Sequence, residues 1–195
     1  MTELRARALV EFHDGGRTEV PASALWRAVE DNHLHNRLLW DQEDLARRRN
    51  VPDSEIAGNK RSIDGYNQAR NDAIERIDEQ LLKLLSETQP RPGARLNSET
   101  PGAMIDRLSI LSLRIRRMRL QTERTDVDRA HIEACLAKLA RLNEQRADLA
   151  SCFDQLLAEC ARGDSQFKVY RQFKMYNDPA LNPALYGGSK RSRGA

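Results

Sequence analysis

The stretch that ends at Arg162 restricts the fold more than any other part of the chain. Ile132, Cys135, Leu139, Leu142, Arg146, Leu149, Phe153, Leu156 and Cys160 follow one another at intervals of three and four without a slip. That alternation keeps one side of an α-helix turned to a partner, and four heptads of it make a packing seam. Gly163 follows, suited to the left-handed residue that ends a helix. Helices of roughly 25 to 38 residues are about 37 to 57 Å long. Only an elongated bundle gives several of them something to pack against.

Breakers locate the other helices. "HDGGRTEVPAS" (13–23) reads as a loop, so a first long helix is expected from about Ser23 to Arg49. "NVPDSE" stops it, Asp53 or Ser54 can cap the next, and that one should reach about Ser86. "ETQPRPGARLNSETPG" (87–102) is a long linker. Thr100 as cap and Pro101 at the first helical position start a third helix, which should run to about Glu123. "RTDVDRA" then gives a turn, with Asp126 as cap of the fourth. The chain has no strand-like alternation and no internal repeat. The expected fold is all-α: an elongated four-helix bundle over residues 21–187. An N-terminal segment (1–20) precedes it, "FKVYRQFKMY" (167–176) forms an aromatic arm, and 188–195 form a disordered basic tail.

Composition narrows the function classes. The 32 Lys+Arg against 29 Asp+Glu leave a net charge of only +3, which argues against a nucleic-acid partner even though the arm interleaves rings with basic residues. Cys135, Cys152 and Cys160 are odd in number and lack metal-ligand spacing, so they read as small apolar residues of a reducing compartment. The N-terminus has only the apolar patch Ala8–Val10, too short for a signal peptide, and no stretch approaches the ~18 apolar residues of a membrane span. A cytoplasmic location is expected.

Polar residues interrupt the seams of three helices. After Trp26 and Val29, the first helix turns Asn36, Trp40, Glu43, Asp44 and Arg47 towards its packing side, along with His33. The second has Asn67, Arg70 and Asn71 among isoleucines, and the fourth has Arg146. Buried charges persist only when they satisfy one another. The set therefore reads either as a salt-bridge network fixing register or as a pocket for a ligand. Asn67, Arg70 and Arg146 are expected to meet Glu43 or Asp44. The helix start at Thr100 and Gly102 has free N–H groups, which should form another wall of the site facing Asn67, Asn71 and Asp78. Asp106 and Arg107 stand one turn further on, with Arg107 reaching the ligand from the side.

This binding reading needs no cofactor. The alternative is a Mg²⁺-dependent enzyme acting on a nucleotide or sugar-nucleotide phosphate. Asp41/Asp44 and Glu75/Asp78 are acid pairs at helical spacing, and Asp44, Glu75 and Asp78 would be the metal set. Glu30-x-x-His33 and Asp128-x-x-His131 are half of a di-iron pattern, and Arg27 with His33 faintly matches a helical RNase. Both histidines read more simply as helix surface or core edge. The run Arg114, Arg116, Arg117, Arg119 and Arg124 complements a helix C-terminus, or alternatively contacts phosphate.

Four segments together resemble a bacterial family, domain of unknown function 4254: "HNRLLWDQEDLAR" (35–47), "KRSIDGYNQARNDAIERID" (60–78), "SETPGAMIDRLSIL" (98–111) and "QFKMYNDPALNPALY" (172–186). The resemblance spans about residues 20 to 187. It implies a part in surface-polysaccharide or glycoconjugate assembly, either as a glycosyltransferase-associated accessory protein or as a small enzyme on a sugar nucleotide. A glycosyltransferase or a sugar nucleotide is then the implied partner. No catalytic residue is carried over, and the oligomeric state is left open.

Overall fold

The computed structural model describes residues 4–16, 19–171 and 178–186. The basic tail and residues 172–176 of the aromatic arm lie outside the described residues. Four long helices dominate: α2 (Ala24–Leu45), α3 (Asp53–Leu84), α4 (Pro101–Thr122) and α5 (Arg129–Arg162). Short helices α1 (Ala6–His13) and α6 (Pro183–Tyr186) lie towards the two ends of the chain. The described residues hold only two strands, β1 (Arg95–Leu96) and β2 (Ser165–Gln166), which pair in parallel. The fold is largely all-α.

Local chemistry sets the helix ends. The Ser23 hydroxyl accepts from the Trp26 N–H at 3.2 Å, and Thr100 accepts from the Ala103 N–H at 3.2 Å with Pro101 just inside. Gly163 ends α5 at φ +77°, in the left-handed region as expected. Two expected caps are corrected. Asp128 caps α5, accepting from the His131 N–H at 2.7 Å, because Asp126 is bound to Arg124 at 2.6 Å. At the start of α3, Pro52 holds the cap position, so Asp53 and Ser54 lie inside the helix.

The helices form two hairpins, α2–α3 and α4–α5. The hub is α4, which packs against α1, α2, α3 and α5, whereas α5 makes its extensive contacts with α4 and α1. The core gathers towards one end of the hairpins, where Trp26 and Val29 of α2, Ile77 and Leu81 of α3, Ile105 and Leu108 of α4, and Phe153 and Leu156 of α5 meet. Residues 1–20 were set apart from the bundle on sequence grounds. In the structure α1 inserts Leu9, fully buried, into that same core. Phe167, the first residue of the stretch expected to form an arm, joins it too. Cys135 and Cys160 are buried as expected, but Cys152 is exposed; all three are free thiols.

The long linker is fastened to the end of α5. The Arg91 N–H donates to the Gly163 carbonyl at 2.9 Å, Arg95 to Asp164 at 3.0 Å, and Asn97 to Gln166 at 2.8 Å. Ion pairs Arg91–Asp164 (2.6 Å) and Arg95–Glu159 (2.8 Å) support this ladder. Between them an exposed turn carries Pro92 and Gly93, the latter at φ +83°. No helix among the described residues is long and apolar enough to cross a membrane.

Candidate functional site

The polar residues of the seams do come together in part, but around a different acid from the one expected. Asp106 on α4, nearly buried, accepts from the side-chain amides of Asn32 and Asn36, each at 2.9 Å. The Asn36 amide also reaches the Ser109 hydroxyl at 3.1 Å. Arg70 of α3 approaches the same carboxylate at 3.9 Å, and Asn71 is buried nearby on α3. Asn67 is half-buried on that helix.

Glu43 and Asp44 are not the partners of Arg70 and Arg146, because they lie beyond the buried part of α2. Glu43 pairs with Arg47 on the surface at 2.8 Å, and Asp44 is exposed, 3.9 Å from Arg117. Arg146 instead grips Asp14, just after α1, with two bonds of 2.8 and 2.9 Å. Only a structured N-terminus could offer that partner.

The helix start at Thr100 and Gly102 faces α3 as expected, but it is closed to a ligand. Asp78, 2 % exposed, accepts from the Gly102 N–H at 2.6 Å, so the protein fills its own anion site. Thr100 also hydrogen-bonds this carboxyl. Burial raises the Asp78 pKa to about 6 against those two bonds. Arg107 points away and chelates Glu99 at 2.7 and 2.9 Å. The set Asp44, Glu75 and Asp78 does not converge. Asp31 is level with Arg76 (2.9 Å), so Asp44 lies about 20 Å further along α2 than the Glu75–Asp78 turn. Among the described residues, no group of three or more His, Cys, Asp and Glu is placed to hold a metal ion.

The strongest site lies on the other side of Ser109. A cleft of about 510 Å³ opens between α2 and α4 and is closed at one end by the C-terminus of α1. From α2 come Glu30, His33, Leu34 and Arg37, which share one face at helical spacing. From α4 come Ser112, Arg116 and Arg119, and from the end of α1 come Phe12, His13 and Asp14. His13 and His33 stack with ring centroids 4.9 Å apart, and the Phe12 ring stands 5.7 Å from His33. His33 Nδ1 lies 2.8 Å from the Ser109 hydroxyl, which joins the cleft floor to the Asn36–Asp106 network.

Burial controls the charge of both rings. Desolvation, then the Arg37 cation, lowers the His33 pKa to about 4, with Asp14 opposing. Burial, with His33 and Arg146 adding to it, lowers His13 well below the ordinary value. Both are neutral near pH 7. Among the described residues, neither ring nitrogen of His13 has a hydrogen-bond partner, nor does the Ser112 hydroxyl, although all three atoms are buried. Leaving such a group unsatisfied costs about 1–3 kcal/mol. Arg37, Arg116 and Arg119 form no ion pair among the described residues, in contrast to Arg146 and Arg117 beside them.

The spacing around His33 suggests no more than a core edge, and no seam in the sequence marks out His13, Asp14, Arg37, Ser109 or Ser112. Their spacing along α2 and α4 was visible. The contribution of α1 was not, because the double glycine after it reads as loop.

No curated protein and no solved structure matches the chain. A family model does, over residues 26–169, about three quarters of the length. That range contains α2 from its third residue, α3 to α5, the polar network and two walls of the cleft, while α1 precedes it. The chain belongs to the family described as "Protein of unknown function (DUF4254)".

Proposed function

We propose that the chain is a binding protein for a phosphate-bearing small molecule held in the His13–His33 cleft. The observation that carries this reading is the pairing of unsatisfied buried donors with uncommitted guanidiniums. Among the described residues, His13 and Ser112 have no hydrogen-bond partner at their buried polar atoms and Arg37, Arg116 and Arg119 have no ion pair, all around one cavity. Guanidinium forks match phosphate oxygens two at a time. Neutral imidazoles and a hydroxyl add directional bonds without adding charge. The cavity lies in the ~300–1,000 Å³ range of small-molecule sites. Two carboxylates also line it. Asp14 is already neutralised by Arg146, and Glu30 is left to accept from ligand hydroxyls. The role in surface-polysaccharide assembly that the resemblance implies fits such a ligand, because a glycosyl phosphate joins a phosphate to a hydroxyl-rich ring.

A thermal-shift titration with glucose 1-phosphate and with inorganic phosphate tests the proposal. A saturable rise in Tm is expected, since a ligand at 100 times its Kd adds about 2.7 kcal/mol. The Arg116→Gln/Arg119→Gln variant should fold normally and lose the rise. Absence of any shift up to millimolar ligand would refute the reading.

A further inference from the structure

We infer that the ligand is a nucleotide, with its phosphate at the arginines and its base against Trp40. This inference rests on the phosphate-binding reading above and names its ligand class. The groove between α2 and α4 does not end at the His-lined cleft. Arg37, Leu113 and Arg116 line that cleft and also a second hollow of about 240 Å³ further along the same two helices. The helices run in the same direction there, since His33 meets Ser109 and Asp41 meets Arg117. The second hollow is therefore the continuation of the first, past a shared pair of arginines.

Trp40 lines this far end. It lies seven residues beyond His33, two helical turns or about 10 Å along α2. The Arg117 guanidinium sits 5.8 Å from the Trp40 ring centre and is held by Asp41 at 3.2 Å. Arg117 is thus neutralised and positioned as part of the wall, unlike Arg37 and Arg116. An indole backed by a fixed guanidinium offers a held, flat π surface, on which purine and pyrimidine rings stack without regard to sequence. A bare phosphate would fill only the middle of this groove. A planar ring joined to phosphate through a sugar fits this groove, with the ring at the aromatic wall, the phosphate at the paired cations and the sugar spanning the stretch between them.

Calorimetric titration of the full chain with ADP and with ribose 5-phosphate tests the inference. ADP should bind at least ten times more tightly than ribose 5-phosphate and should quench the fluorescence of Trp40; Trp26 is buried behind Phe12, and a quench lost in Trp40→Leu assigns the signal to Trp40. Trp40→Leu should abolish the ADP preference and leave ribose 5-phosphate binding within twofold, and Trp40→Phe should keep most of the preference. Thermal melts of both variants check that they remain folded. Equal affinities for the two compounds, or an ADP preference that survives Trp40→Leu, would overturn the nucleotide inference and leave phosphate binding standing. Failure of both compounds to bind would overturn the phosphate reading and this inference with it.

Discussion

A methyl group at position 102 would lie 2.6 Å from the Ile74 carbonyl oxygen and 2.9 Å from the Asp78 carboxyl. Gly102 is therefore present for close approach of α4 to α3, and it donates its N–H across that approach. Helix propensity alone would favour alanine by about 1 kcal/mol. Gly102→Ala should nevertheless lower stability by about 1–3 kcal/mol, the usual cost of overpacking, in urea denaturation. Unchanged stability would mean that the two helices slide apart freely. The sequence made Thr100, Pro101 and Gly102 legible as a helix start. It could not reveal that Asp78 occupies that start, because the pairing is set by the angle between two helices. Asp78 and His33 also give opposite pH signatures. The raised Asp78 pKa contributes stability that is present below its ordinary 3.8 and lost as pH rises through about 6. The lowered His33 pKa contributes stability that is present above 6.5 and lost as pH falls through about 4. Asp78→Asn should therefore make acid destabilisation between pH 7 and 5 steeper than in the wild type, and His33→Gln should make it shallower. Urea melts at the two pH values read both changes.

At the scale of elements, the Arg146–Asp14 pair decides whether α1 stays packed against the long helices. Eight residues are too few for an isolated helix to persist in water. Here α1 gains its stability from Leu9 in the core and from this two-bond clasp to α5. Arg146→Leu completes the apolar seam but strands Asp14, which is about one-third exposed and can regain water. The expected loss is about 1–2 kcal/mol, less than for a fully buried pair. A double-mutant cycle with Asp14→Ala should return a coupling of similar size, and zero coupling would show that the clasp is ornamental. Helix ends were readable because caps, prolines and Gly163 act locally. The Arg146 partner was not, since it comes from 132 residues away on a segment whose own signal is only Leu9 and its apolar neighbours.

Over the whole molecule, burial is uneven along the hairpins. From 53 to 70, α3 buries only Ile63, and from 129 to 148, α5 buries only Cys135, whereas residues 73–81 and 149–160 are rich in core positions. Amide exchange should therefore be slowest in 25–29, 73–81, 104–111 and 149–157, and faster by orders of magnitude towards 53–62 and 129–134. Exchange followed by mass spectrometry reads this directly, and uniform protection would contradict it. The all-α class was legible because long 3–4 periodicity has few other solutions. The cleft was not legible, because it is assembled from α1, α2 and α4, each carrying a third of its chemistry. The exposed Pro92–Gly93 turn has a further consequence. It divides the chain into α1–α2–α3 and α4–α5, and residues on both sides of it are bound to the same stretch after α5. A cut there would leave two fragments with matched apolar faces and their new ends held side by side. Expressed separately, the halves should find each other and rebuild the cleft, an association that co-purification of the two pieces reads.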